Sequence, residues 1–258
     1  MDIPVRQVTD DEVAFFHAHG WARLPALVAP ETVTALRERA TGRLRERERA
    51  RATLVDRAFG QARDIAETDA AFRALALHPR MGGNAARLLR GVRAVRVQVT
   101  NLLVKEPGEH GEHGATEFHQ DFPWMPMDRS AMLTVWLALA DVPADMGSLR
   151  FYSGSHRHGL LGRSFTRPGD DQLTQHPWLT ELELSPPLDL AAGDATAHHA
   201  LTVHGAPANR RDTPRLSFTV TYFDADARYT GTPYPQTDGL GLRVNEPFEH
   251  PRFPCPRP

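Results

Sequence analysis

Within Glu117-Phe-His119-Gln-Asp121-Phe-Pro-Trp124 an imidazole and a carboxylate stand two residues apart. On a strand, alternate side chains share a face, so His119 and Asp121 would present a ring nitrogen and a carboxylate oxygen to one ion. The pair alone is a weak signal, and a third ligand decides it. The pool is His110, His113, His156, His158, His198, His199 and His204. His110 and His113 fall in a glycine-rich loop, Gly108 to Gly114, where exposure to solvent is expected; His156 and His158 follow a Gly-Ser turn and are expected to pack against it or cap it. His204 is followed by Asn209 and Arg215, and Arg215 opens a run in which Leu216, Phe218, Val220 and Tyr222 alternate with Ser217, Thr219 and Thr221. Two histidines and a carboxylate on one side of an ion, with the other positions open, is the arrangement of non-haem Fe(II) oxygenases. An arginine at a strand start beside such an ion can grip a carboxylate bidentately, as a dicarboxylate cosubstrate requires.

These side chains need a scaffold, and the hydrophobic pattern changes character along the chain. Thr9-Asp-Asp-Glu12 is a capping box that predicts a short helix ending at Gly20. After extended Trp21 to Pro25, Val33, Leu36, Ala40 and Leu44 recur at helical spacing from Glu31 to about Ala50, and the Arg45-Glu-Arg-Glu-Arg49 run reads as a solvated face. Between Asp69 and Leu89 one or two further helices are interrupted at His78-Pro79. From Val95 the period becomes two, and strands are predicted at Met132 to Ala140, Leu149 to Tyr152, Glu181 to Leu184, Ala195 to Val203 and Leu216 to Asp224. Helices first, then many antiparallel-type strands, predict a mainly β fold with flanking helices, a sandwich or jelly roll. Loops at 156–187 and 225–258 are candidate covers for a substrate.

Composition narrows the class. The 258 residues, 41% hydrophobic and 24% charged, fit one folded domain: a helical part of about 1–92, a jelly-roll core of about 93–224 and a Pro-rich extension at 225–258. A net charge of -2 excludes a global positive field for nucleic acid or an anionic membrane. Lys105 is the sole lysine among 30 basic residues, a skew that reads as GC-rich coding bias. The single Cys255 allows no internal disulfide, Met1 to Arg6 carries no secretory pattern, and Met132 to Val142 is too short to span a bilayer, so a cytoplasmic protein without an obligate protein partner is expected.

Taken in order, Thr9 to Leu27, His119-Gln-Asp121, Leu133 to Val142, Gly147-Ser-Leu149, Gly154-Ser-His156, Gly193-Asp194 and His204-Gly-Ala-Pro-Ala-Asn209 through Arg215 resemble the phytanoyl-CoA dioxygenase family of Fe(II)- and 2-oxoglutarate-dependent oxygenases. The resemblance covers nearly the whole chain. It implies a double-stranded β-helix (cupin-like jelly roll), His119, Asp121 and His204 as iron ligands, and Arg215, eleven positions after His204, as the clamp on 2-oxoglutarate. It also implies contacts to 2-oxoglutarate from Trp136, Gln61 and Asn101, and it matches Lys105 to a family lysine. The implied cofactor set is Fe(II), 2-oxoglutarate and O2, with hydrogen abstraction from a C–H bond and release of succinate and CO2. Two departures stand out: Ala206 replaces a usual hydroxyl residue, so one cosubstrate hydrogen bond is absent or supplied elsewhere, and Ser153 replaces a proline. Asp121 argues against halogenation, because related halogenases have a small residue there.

For substrate, Phe122, Trp124, Met125, Met127 and Tyr229 are candidates to wall an apolar or aromatic pocket. Within this family a bacterial tailoring oxygenase of antibiotic biosynthesis fits the arginine-rich bias. A polyketide-type small molecule that is hydroxylated, cyclised or epimerised is the expected substrate. The competing readings are a cupin-like metal-binding protein without turnover and a zinc hydrolase, although no His-Glu-x-x-His motif is present.

Overall fold

The computed structural model describes residues 3–47, 60–107, 114–163 and 171–256. Helix α1, Asp10–His19, carries the predicted capping box: Glu12 N–H donates to Thr9 Oγ1 at 3.1 Å and Thr9 N–H donates to Glu12 Oε2 at 2.8 Å. Gly20 ends it at φ 81°. Strand β1 (Trp21–Leu24) follows, then α2 (Pro30–Arg47); the last predicted helical residues, Glu48 to Ala50, and the side chains of the Arg45 to Arg49 run lie outside the description. Strand β2 (Gly60–Arg63) and α3 (Ile65–Thr68) precede α4 (Ala70–Ala76) and α5 (Pro79–Leu88). The break between α4 and α5 falls where His78-Pro79 predicts it, with His78 Nδ1 accepting from Arg80 N–H and Pro79 in the first turn, where its missing donor costs nothing.

Strands β3 (Val95–Lys105), β4 (Thr116–His119), β5 (Met132–Ala138), β6 (Arg150–Phe151), β7 (Ala195–His199), β8 (His204–Ala206) and β9 (Arg215–Asp224) complete the fold, with the short α6 (Gln172–Gln175) between β6 and β7. Among the described residues they form a six-stranded antiparallel sheet, β1-β7-β5-β9-β3-β2, and a three-stranded sheet, β4-β8-β6. This is a jelly roll with helices packed outside. Leu133, Val135, Leu137, Phe218, Val220 and Tyr222 point outward and bury against Phe72, Leu75 and Leu88 of the helices. The Tyr222 hydroxyl, deep in that layer, donates to Ala76 O at 2.7 Å. The alternate residues Thr134, Trp136, Thr219 and Thr221 point inward, so the polar stripe faces a cavity rather than bulk water. No helix among the described residues is long and apolar enough to cross a membrane.

Three expectations require correction. The strand predicted from Ala195 to Val203 ends at His199: the chain turns at Ala200–Thr202 before β8 begins at His204, with Thr202 N–H donating to His199 O at 2.7 Å and Thr202 Oγ1 to Gly20 O at 2.6 Å. Glu181 to Leu184 forms only the single Tyr152–Leu184 bridge, because Pro177 starts a 3-10 turn before it and Pro186-Pro187, lacking N–H donors, follow it. Asp121 is not on the strand with His119; β4 ends at His119, and Asp121 enters a 3-10 turn over Phe122–Trp124 at φ -78°, ψ -32°. Buried Gln120 fixes that exit, its side-chain amide donating to Gly159 O and Leu201 O and accepting from Leu161 N–H.

Candidate active site

Strand β4 and the turn after it bring His119 and Asp121 to β8, which supplies His204; the ligand-type atoms of the three lie within 4.8 Å of one another. Asp121 Oδ1 is 3.8 Å from Nε2 of both histidines. Each Nδ1 lies against a backbone carbonyl, His119 against Glu117 O at 2.8 Å and His204 against Thr202 O at 3.0 Å. A proton on each Nδ1 satisfies those contacts and leaves Nε2 with its lone pair directed at the shared space. Burial pushes both imidazoles below their ordinary range, which keeps them neutral and able to ligate. Burial alone would raise the Asp121 carboxyl; the three imidazoles around it, His204 first, then His198 with its hydrogen bond, then His119, outweigh that and hold the group well below the usual carboxylate range. A neutral-neutral-anionic donor set of N, N and O is what a divalent transition metal takes.

These residues border a cavity of about 620 Å³ that also receives Gln61, Asn101, Trp136 and Arg215. All four expected cosubstrate contacts are therefore gathered beside the triad. Arg215 begins β9 opposite Lys105 on β3, and both are buried with no acidic partner among the described residues. Arg215 Nη1 donates to Gly147 O, its guanidinium sits 5.2 Å from the Trp136 ring centroid, and its Nε has no partner. Nearby, Trp136 Nε1 is likewise a buried donor without a partner among the described residues, and the buried Asn101 Oδ1 is an acceptor without one. Orphan N–H donors of Arg215 and Trp136 beside an unbalanced cation are costly in the empty protein and fit an anionic ligand with several acceptor oxygens. Across the β4–β8 pair Thr116 faces Ala206 and lines the cavity, so a hydroxyl is available where Ala206 lacks one. Ser153, the other departure, accepts from Trp21 Nε1 at 2.9 Å.

Lys105 spends its three donors on Gly114 O (2.9 Å), Thr116 Oγ1 (3.1 Å) and Pro207 O (3.1 Å), tying three segments behind Arg215. Burial first, and the neighbouring Arg215 second, draw its ammonium down to about 7. Between that value and the ordinary 10.5 the folded protein binds fewer protons than the unfolded chain. Stability is therefore expected to rise with pH across this window, by up to about 1.4 kcal/mol per unit near its middle. Chemical denaturation of the wild type and Lys105→Met from pH 6.5 to 10.5 checks this: the difference between the two must grow with pH.

Gly147 allows this packing. At φ 78° an added Cβ would lie 2.6 Å from Pro207 O and 3.2 Å from Lys105 Cδ. Gly147→Ala is expected to lose about 2–4 kcal/mol in urea unfolding, from left-handed strain together with overpacking.

The apolar candidates behave differently. Met125, Met127 and Tyr229 pack with Met132, Phe223 and Phe248 in a hydrophobic cluster joined by the Met127–Tyr229 bridge, and Phe122 packs on its edge. None of these four lines the cavity. They are core because the turn after Asp121 folds back under the C-terminal segment. The side chain of Trp124 lies outside the described residues. The cavity wall instead includes the polar Gln98, Tyr234 and Gln236, with Gln98 Nε2 donating to Gln236 Oε1 at 2.9 Å. A bulge between Val97 and Val99 turns Gln98 inward. The 225–256 segment thus contributes to the wall, whereas the described part of 156–187 does not.

Of the remaining histidines, His156 packs against Gly20 and His199, and His158 against Trp178. His110 and His113 lie outside the described residues. His198, to which sequence reasoning gave no role, lines the cavity with its ring centroid 4.0 Å from that of His204. The signal for it was available: in β7 its side chain shares a face with Thr196 and not with His199.

A profile described as Phytanoyl-CoA dioxygenase (PhyH) matches residues 16–217. Phytanoyl-CoA dioxygenase 1 of Oryza sativa subsp. japonica is 24% identical over 265 residues, covering 86% of this chain and 92% of its own. Among solved structures, the non-heme alpha ketoglutarate dependent carbocyclase SnoK from nogalamycin biosynthesis superposes with a TM-score of 0.80 at 30% identity, with 96% of each chain covered. The epimerase SnoN, in complex with Fe3+, alpha ketoglutarate and nogalamycin RO, superposes at 0.79 and 30% identity over 96% of this chain and 98% of its own. With the profile matching well over half of its length around this site, the chain belongs to the phytanoyl-CoA dioxygenase family.

Proposed function

We propose that the protein is an Fe(II)- and 2-oxoglutarate-dependent oxygenase that removes hydrogen from a C–H bond of a polyketide-type small molecule in cytoplasmic antibiotic biosynthesis. The observation that carries this reading is the His119, Asp121 and His204 triad sharing one cavity with a buried Arg215 that has no acidic partner among the described residues. Bound iron with 2-oxoglutarate and O2 supplies the oxidising power, 2-oxoglutarate leaving as succinate and CO2.

The chain's own residues do the rest. His119, Asp121 and His204 would hold the metal through two imidazole nitrogens and one carboxylate oxygen, and the metal would supply the binding of cosubstrate and O2. Arg215 grips the distal carboxylate, Thr116 supplies the hydroxyl that Ala206 lacks, and Gln61, Asn101 and Trp136 border the same compartment. Inward Thr219 and Thr221 and the Gln98, Tyr234 and Gln236 wall orient the substrate and keep water out, so the outcome (hydroxylation, cyclisation or epimerisation) follows from which C–H bond they aim at the metal. That wall suits a molecule with hydroxyl or sugar groups, in keeping with the likeness to a carbocyclase and an epimerase of nogalamycin biosynthesis.

Anaerobic addition of Fe(II) and then 2-oxoglutarate is the test. A visible metal-to-ligand charge-transfer band that disappears in Arg215→Met at the same cosubstrate concentration supports the reading. Bound iron with no band, and no succinate formed in air with or without a candidate substrate, would favour a metal-binding protein without turnover or a hydrolase.

A further inference from the structure

We infer that His198 is a positioning residue for the metal site, fixing which oxygen of Asp121 faces the ion. The proposal rests on His119, Asp121 and His204 being the ligands. Asp121 Oδ2 has two neighbours: Thr134 Oγ1 donates to it at 2.8 Å, and His198 Nε2 lies 3.2 Å from it. Oδ1, by contrast, is the oxygen 3.8 Å from Nε2 of both His119 and His204. The two oxygens are therefore divided between two tasks.

Strand register makes this division. His198 and Thr221 are the cross-strand partners of Thr134, on β7 and β9 respectively, so the three residues form one row across the inner face of the large sheet. Thr134 Oγ1 is also 2.9 Å from Thr221 Oγ1, and if Thr221 donates there, Thr134 keeps its own proton for Asp121. His198 is 2% exposed, and its ring packs against Phe151, which stacks on Trp21. Its Nδ1 is buried without a partner. A proton on Nδ1 would be an unsatisfied buried donor facing nothing, with the lone pair of Nε2 against a carboxylate. Placing the proton on Nε2 removes both costs and makes His198 a donor to Oδ2. With Oδ2 engaged by two donors, Asp121 is held to present Oδ1, and the carboxylate is discouraged from turning to chelate through both oxygens. Every position the metal does not receive from Oδ2 stays available for cosubstrate and O2.

Co(II) binding, followed by its d–d absorption in the absence of 2-oxoglutarate, tests this independently of turnover. His198→Leu, which fills the space without a donor, is expected to bind Co(II) about 10–100-fold more weakly, as for loss of other hydrogen bonds to ligating groups. His198→Gln, which places an amide N–H near the same point, is expected to recover most of that loss. Thermal melts of the apo variants establish that both are folded. If wild-type protein fails to bind Co(II), or binds it equally well as His204→Ala, the ligand assignment itself is wrong. If wild type binds and His198→Leu matches it, His198 has no positioning role. If His198→Gln is as weak as His198→Leu although both are folded, the imidazole does something a donor cannot, such as ligating the metal itself, and the proposal falls.

Discussion

His204→Ala and Asp121→Ala should each lower Fe(II) affinity by more than about 100-fold, beyond the roughly 10–100-fold seen when a ligand merely loses its hydrogen-bond partner, and abolish succinate formation. A facial site has three protein atoms, and two of these three would remain, too few to compete with water for a divalent ion. The two variants should differ in character. Asp121 is the sole anion of the triad and sits among three imidazoles, with His198, His204 and His119 all close to its carboxylate. Removing it strips the charge that makes the site attractive to a cation and leaves the Thr134 and His198 donors without their acceptor, so the apo fold should also lose about 1–3 kcal/mol. His204 removal costs the metal but leaves Asp121 anchored by the same two donors. Anaerobic iron titration with urea unfolding of the apo proteins separates the two effects. Fe(II) retention by His204→Ala within a few fold of wild type would mean that His198 or another group completes the site.

The chemistry was more legible in the sequence than the geometry that delivers it. His119, Asp121, His204 and Arg215 stood out because rare residue types sat at meaningful spacing, and such spacing survives even where the local structure is misread. Asp121 shows this: strand alternation placed it beside His119, the chain actually leaves the strand at Gln120, and the carboxylate still reaches the site because the 3-10 turn bends it back. Helix limits at Thr9, Gly20 and His78-Pro79 were readable since caps and prolines act locally. The Gly60–Arg63 strand was not, because its place in the sheet comes from pairing with Leu103 and Leu102 rather than from any β propensity of its own. Thr219 and Thr221 alternate with Phe218 and Val220, but alternation does not say what covers the second face; with Thr134 they are buried around the cavity, because a jelly roll encloses that face. Met125, Met127 and Tyr229 looked like pocket walls, yet they support the floor beneath the C-terminal segment. Gln98 turns inward through a bulge, a one-residue event that no periodicity reveals.

Arg215→Met should leave Fe(II) binding near the wild-type level while weakening 2-oxoglutarate by about 100–5000-fold, and the stability of the apo protein should change little. The first half follows from the role of the clamp: a buried guanidinium paired with a carboxylate is worth about 3–5 kcal/mol when one member is removed. The second half follows from the state of that guanidinium without ligand. It is 2% exposed, has no acidic partner and no partner for Nε among the described residues, and stands beside the Lys105 ammonium, which it pushes downward. Replacing a buried ion pair by apolar side chains of similar volume is often neutral or stabilising by about 1–4 kcal/mol, so removing this charge relieves a desolvation cost of that order. Against this stand the bond to Gly147 O and the contact with the Trp136 ring, worth about 1–3 and 0.5–2 kcal/mol. The two sides are of similar size, so the apo variant is expected to stay within about 2 kcal/mol of wild type, less than the roughly 3–5 kcal/mol lost when one partner of a buried ion pair is removed. Added 2-oxoglutarate sharpens the contrast. In the metal-loaded wild type it should raise the melting temperature, since a ligand at 100 times its Kd contributes about 2.7 kcal/mol, and in Arg215→Met at the same concentration it should add almost nothing. Isothermal titration and thermal melts measure both halves. A destabilised apo variant that still binds 2-oxoglutarate normally would make Arg215 a structural arginine and move the clamp elsewhere.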